Sequence, residues 1–211
     1  MKEIIGLLEK YKLIPVLSLS DEKKAIPVAK ALIEGGISCV EVAFSTSKAK
    51  EAIKLISENF PDMLIGAGTV LTIDQVKQAI EAGAKFVVSP GFNPKIVEYC
   101  VHNNIPIIPG CSTPSDIEQA LDFDLEIVRF FPAEAAGGLK MIKALSDPYS
   151  MMKFIPTGGI NKENINSYLD CGKVVACGGS WIVNQELIEH NDFDKIKILT
   201  SEAVKIINKE L

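Results

Sequence analysis

Two charged residues stand inside runs that are otherwise apolar: Glu41 in Val-Glu-Val and Arg129 in Ile-Val-Arg-Phe-Phe. A carboxylate in an apolar pocket has its pKa lifted toward working pH and can act as a general acid or base. An arginine keeps its proton, and in such surroundings it needs a carboxylate partner or an anionic ligand. Each residue could satisfy the other, so a structural ion pair competes with a chemical role for both. Paired glycines give a third signal, in Thr157-Gly158-Gly159 and Gly178-Gly179-Ser180. Backbone N–H groups reach a phosphate closely where no side chain intervenes, although glycine pairs also make tight turns. Arg129 is set apart by number as well, being the one arginine among 22 basic residues.

The elements that must position these groups follow from hydrophobic periodicity. Short runs rich in β-branched residues predict strands over 14–18, 37–44, 63–68, 86–89, 105–109, 126–131, 153–156 and 174–177. Helical patterns lie between them, among them 21–34, 47–58, 72–82 and 114–121, several opening on Ser, Thr or Asp as N-caps. Gly35, Gly83 and Gly172 fall where helix ends call for a left-handed residue. The stretch 194–211 carries Ile196, Leu199, Ala203, Val204 and Ile207 on one face, as a closing helix would.

Eight β-then-α units spaced by about 20–25 residues predict an α/β fold, a (β/α)8 TIM barrel, formed as one domain over 1–211. The rival, an open doubly wound sheet, would carry a glycine-rich fingerprint after the first strand, where this chain reads Pro15-Val16-Leu17-Ser18-Leu19-Ser20. Barrel chemistry sits at the C-terminal ends of the strands, with phosphate often held by the seventh and eighth loops. Alternation turns Val40, Val42 and Phe44 toward the helix layer and Glu41 into the barrel. Ile127, Arg129 and Phe131 share one face of the sixth strand. Both glycine pairs are expected in loops, after the seventh and eighth strands.

Composition excludes several classes. The chain has 211 residues, 47% hydrophobic and 23% charged, with a formal charge of −5 and no basic block. No nucleic-acid or anionic-membrane partner is expected from that balance, whereas a small anionic ligand fits it. No segment stays apolar for the roughly 18 residues of a membrane span, and 1–12 is interrupted by Glu3 and Glu9. Cys39, Cys100, Cys111, Cys171 and Cys177 show no CxxC spacing, which argues against a disulfide framework or zinc site and for a reducing cytoplasm. His102 and His190 fall away from the strand ends, so no metal site is expected. Cys177 reads as core, Trp181 as a cap on the barrel, and Lys140 and Lys143 as solvent-facing. Lys153 and Lys173 sit at strand starts, on the rim opposite the chemistry.

These residues together resemble the KDPG/KHG aldolase family, over about 15–182. The resemblance rests on Gly35-Gly36-Ile37 leading to Val40-Glu41-Val42, on Gly66-Ala67-Gly68-Thr69-Val70, Ser89-Pro90-Gly91 and Pro109-Gly110. It continues through Phe130-Phe131-Pro132-Ala133-Glu134, Pro156-Thr157-Gly158-Gly159-Ile160 and Gly178-Gly179-Ser180-Trp181. It implies a (β/α)8 homotrimer without cofactor. Such an enzyme reversibly cleaves a 2-oxo-3-deoxy (phospho)sugar acid to pyruvate and an aldehyde, glyceraldehyde 3-phosphate or glyoxylate. A lysine on the sixth strand forms a Schiff base with the 2-oxo group, and a glutamate on the second strand, here Glu41, moves protons. By position, Thr69 meets the substrate carboxylate, Pro90 lines the pocket, and Phe131 and Thr157 join the substrate-binding set. Gly158, Gly159, Gly179 and Ser180 form the phosphate end.

The resemblance breaks at two positions. Arg129 stands where the family has its Schiff-base lysine, and a delocalised, permanently charged guanidinium gives no stable iminium with a ketone. Ser45 stands where the family has an arginine that clamps the substrate carboxylate. Both departures strike the pyruvate-binding half. One reading is an aldolase fold that has lost Schiff-base catalysis and keeps a 2-oxo acid or sugar phosphate as ligand. A second is an active protein that uses a different lysine, or stabilises an enolate through Arg129 without a covalent bond. A third is that Arg129 is an engineered or sequencing-level change in an otherwise normal enzyme, which leaves Ser45 needing its own explanation.

Overall fold

The computed structural model describes residues 1–210. After helix α1 (Lys2–Tyr11), strands and helices alternate: β1 (Leu13–Leu17), α2 (Ala25–Glu34), β2 (Cys39–Ala43), α3 (Ala49–Asn59), β3 (Leu64–Gly68), α4 (Ile73–Glu81), β4 (Phe86–Val88) and α5 (Pro94–His102). There follow β5 (Ile107–Ile108), α6 (Pro114–Asp122), β6 (Ile127–Phe130), α7 (Gly138–Ser146), β7 (Lys153–Pro156), α8 (Ile165–Leu169), β8 (Cys177–Gly179), α9 (Gln185–Glu189) and α10 (Phe193–Asn208). All strand pairs are parallel.

Six strands run in the order β5-β4-β3-β2-β1-β8, and β6 pairs with β7. Two seams close these sheets into a barrel. Gly110 bridges to Arg129, and Phe154 and Thr157 bridge to Val174 and Gly178. The first seven predicted strands are found in place, the eighth lies further along the chain than expected, and the barrel expectation holds. Strands buried on both faces read as apolar runs, which explains why β2, β3 and β6 are buried at every position.

Local chemistry sets the helix starts. Thr72 caps α4, and Thr113 with Asp116 forms a capping box on α6 with Pro114 in its first turn. Three expectations need correction. Gly83 is left-handed as expected, at φ +108°, but Gly35 is right-handed and Gly36 takes the left-handed turn at φ +103°. Gly35 is small for another reason: a side chain there would start 2.5 Å from Thr200 Cβ, where α2 and α10 pack. Gly172 is not left-handed, because α8 ends three residues earlier with Asp170 as a right-handed cap. Finally, Gly178 and Gly179 lie in β8 itself, not in the loop after it. Residues 174–176 run beside β7, where Val175 N donates to Phe154 O, and the ladder with β1 begins only at Cys177.

Helix α1 lies across the N-terminal rim, burying Ile5 and Leu8, with Glu9 paired to Lys153 at 2.8 Å. Clefts of about 450 and 440 Å³ flank it. They open at the end of the barrel opposite the candidate site.

Candidate active site

Glu41 shares a rung of the barrel with Val16 on β1, Gly66 on β3 and, beyond it, Phe86 on β4. Its side chain points inward, as alternation predicts, and its carboxylate rises over Gly68, where a side chain would start 2.0 Å from Glu41 Oε1. From the other side of the barrel, Arg129 donates through Nη1 to Glu41 Oε1 at 3.0 Å. The two side chains are only 5% and 4% exposed for arginine and glutamate respectively. Arg129 also stacks on Phe131, its Cζ 4.8 Å from the ring centroid; Phe131, expected within the sixth strand, lies just past the end of β6.

The pair is not saturated. Arg129 Nε is buried with no hydrogen-bond partner. An arginine has five N–H donors, and a buried donor left unmade costs roughly 1–3 kcal/mol. Next to Gly68, Thr69 holds a left-handed backbone at φ +54°, a conformation that is rare for a β-branched residue. The negative charge of Glu41 is felt by its inward neighbour: burial first, and then Glu41, push the Cys39 thiol well above its usual range. Cys111 and Cys177 are raised by burial too, and Cys100 is pushed up to about 12. These four thiols are held protonated and are poor nucleophiles.

The other predicted residues fall into separate groups. Pro90 is half-buried, and its carbonyl abuts Gly110, the residue that bridges to Arg129. Thr157 is buried against Gly178, while Gly158 and Gly159 turn with φ +101° and +81° beside Ala133 and Glu134. The N–H groups of Gly158, Gly159 and Ile160 donate to no backbone carbonyl among the described residues. Main-chain N–H groups left free in this way are donors that an anion can use. The eighth-strand glycines have packing reasons to be small: Thr157 Oγ1 covers Gly178, and the Trp181 ring lies on Gly179. Ser180 is exposed and its hydroxyl caps nothing.

Ser45 is not brought to the pair. It is exposed, and its hydroxyl shares a 2.9 Å hydrogen bond with Ser18 at the end of β1, while Thr46 Oγ1 donates to Leu19 O. Periodicity carries no sign of either contact. Also missed was Tyr168 of α8, buried and hydrogen-bonded to Glu134 Oε1. Burial, then this bond, pushes the phenol above its usual range. Lys140 and Lys143 face solvent, as expected. Among the described residues no group of three His, Cys, Asp or Glu side chains gathers as metal ligands, and no helix is long and apolar enough to cross a membrane.

A closed parallel barrel with a buried acid and cation facing each other across its interior defines a (β/α)8 protein with a charged site inside the barrel. The model of the family "KDPG and KHG aldolase" matches residues 4–199. The 2-dehydro-3-deoxy-phosphogluconate aldolase of Treponema pallidum is 47% identical over 207 residues, 98% of this chain and 99% of that protein. Among solved structures, the KDPG aldolase of Legionella pneumophila, with pyruvate captured as a covalent carbinolamine, superposes with a TM-score of 0.91 at 39% identity, covering 94% of this chain and 97% of that one. The 2-keto-3-deoxy-6-phosphogluconate aldolase of Zymomonas mobilis, with 3-phosphoglycerate, gives 0.90 at 36% identity, covering 96% and 95%. The chain belongs to the KDPG and KHG aldolase family.

Proposed function

We propose that this chain binds a 2-oxo acid or a phosphorylated sugar acid at the C-terminal mouth of its barrel, and that the family's cleavage to pyruvate and an aldehyde does not run through a Schiff base here. The observation that carries this is Arg129, buried and ion-paired to Glu41, at the position where the resemblance places the reacting lysine. An amine must lose a proton to attack a ketone, and a guanidinium does not. Glu41 and Arg129 are the chemical pair of the site, as acid or base and as fixed cation. Thr69, Pro90, Phe131 and Thr157 make its walls, Ser45 stands at its rim, and Gly158, Gly159, Gly179 and Ser180 make the phosphate end. The unused guanidinium donors favour a second reading, in which Arg129 stabilises an enolate without a covalent bond.

Borohydride reduction in the presence of pyruvate tests the proposal. The protein as it stands is expected to gain no mass, and Arg129→Lys to gain one pyruvate-derived adduct. An adduct on the unmodified protein would expose a displaced lysine and sink the proposal. Binding without turnover predicts thermal stabilisation by phosphorylated sugar acids or pyruvate. Turnover without trapping would select the enolate reading. We further propose a homotrimer, on the family resemblance, with sedimentation velocity as the check. A cytoplasmic location is supported by five free cysteines, four of them buried thiols.

A further inference from the structure

The Phe130-Phe131-Pro132-Ala133-Glu134 segment ends on a carboxylate that the site above does not use. Its position is awkward. Glu134 is exposed, and its Cβ and Cγ lie against Gly159, where a side chain would start 2.6 Å from Glu134 Cγ. A negative charge therefore stands beside the turn whose free N–H groups suit a phosphate. Two like charges a few ångströms apart repel appreciably, more so near a protein surface than in bulk water.

The carboxylate is held to one side. Tyr168, buried on α8, donates its hydroxyl to Glu134 Oε1. The contact is enclosed by Gly138, where a side chain would start 3.0 Å from Tyr168 Oη and 3.2 Å from Glu134 Oε1. The main chain of Glu134 is fixed to the same turn, since its N–H donates to Gly158 O at 3.1 Å, next to the bond from Ala133 N to Thr157 O at 2.8 Å. On the far side, Asn164 Nδ2 donates to Gly159 O at 3.0 Å. Both glycine carbonyls of the turn are thus engaged by protein donors, and the Glu134 side chain against the turn is tethered to a phenol.

We propose that Tyr168 is a positioning residue for an anion site: it draws the Glu134 carboxylate away from the Gly158–Gly159 turn, so that the turn's N–H groups can donate to a phosphate monoester. This rests on the reading of that turn as the phosphate end of the site. Removing the phenol oxygen leaves the carboxylate free to swing over the turn, where it competes with the ligand for the N–H groups and repels it. Removing the charge as well should restore binding, a result that loss of a merely structural strut would not give.

The experiment is calorimetric titration of the full chain with 3-phosphoglycerate. Tyr168→Phe is expected to weaken binding about tenfold, and Tyr168→Phe/Glu134→Gln to recover to within about threefold of the unmodified protein. Glu134→Gln alone keeps the ring and its packing, and should bind at least as tightly as the unmodified protein. An unchanged affinity in Tyr168→Phe, a double variant as weak as the single one, or a weakened Glu134→Gln would each overturn the proposal. If the unmodified protein shows no binding of 3-phosphoglycerate while pyruvate still raises its melting temperature, the phosphate reading of the turn falls, and this inference with it. The 2-oxo acid reading would stand.

Discussion

The two halves of the barrel mouth are built from different materials. On the β2 and β6 side, Glu41 and Arg129 are full charges, buried and turned on each other at 3.0 Å. On the β7 side the groups are main-chain N–H donors, shaped by two left-handed glycines and steadied by neutral or tethered side chains. A charged pair can satisfy itself, and then its geometry says as much about folding as about a ligand. A run of free N–H groups cannot satisfy itself. The difference teaches where each half is vulnerable: the first through its charge balance, the second through its backbone.

The largest expected effect tests the first half. Arg129→Met leaves Glu41 buried and unpaired, and should cost about 3–5 kcal/mol in urea unfolding. Replacing both members, in Glu41→Leu/Arg129→Met, should be neutral or stabilising by about 1–4 kcal/mol relative to the unmodified protein. If the single variant loses less than about 1 kcal/mol, Arg129 is not balancing a buried charge, and the contrast between the halves collapses.

Gly159→Ala tests the second half. It forces a side chain into φ +81° and onto Glu134 Cγ, so it should cost about 2 kcal/mol and abolish binding of phosphate-bearing ligands while pyruvate binding survives. Loss of both ligands together would mean that the halves are not separable. Thr69→Gly is expected to be neutral or stabilising by about 1 kcal/mol, because glycine tolerates φ +54°. It should also weaken pyruvate binding. A stability loss greater than about 1 kcal/mol would show that the threonine side chain holds the fold instead.

The smallest effect is in pH. The Tyr168 phenol holds its proton more tightly in the folded chain, so the unfolded state releases that proton first as pH rises. Stability from this group is present below the ordinary tyrosine pKa of about 10 and falls as pH climbs above it. Tyr168→Phe should remove that part of the alkaline loss. The buried thiols, also raised, begin their own loss near about pH 8.5 and remain in the variant as an internal reference. Identical alkaline slopes above about pH 10 in the two proteins would contradict the assignment.

What the sequence disclosed, and what it hid, follows the same division. Periodicity located seven of the eight strands, because strands buried on both faces leave short apolar runs that two misplaced charges interrupt visibly; β8, made of Cys177 and two glycines, has no such run and starts three residues later than expected. Glu41 and Arg129 could be put on inward faces by counting alternate residues, and their partnership could be raised as a possibility. The contacts of Ser45 with Ser18, and of Tyr168 with Glu134, join residues 27 and 34 positions apart and leave no periodic trace. Gly35 misled because small size at a helix end serves close packing as well as left-handed turns. The eighth-strand glycines misled in the same way, since Thr157 and Trp181 occupy the space their side chains would need.

The main chain of Arg129 has a part of its own. Its N–H donates to Pro109 O and its carbonyl accepts from Cys111 N, both at 2.8 Å, and these two bonds stitch β5 to β6 where the two sheets would otherwise part. A stitch made of peptide groups is blind to the side chain it carries. Position 129 is therefore an exchangeable socket in a permanent hem: either cation, lysine or arginine, can be fitted opposite Glu41 without undoing the cloth, and loss or recovery of chemistry there needs no redesign of the barrel around it.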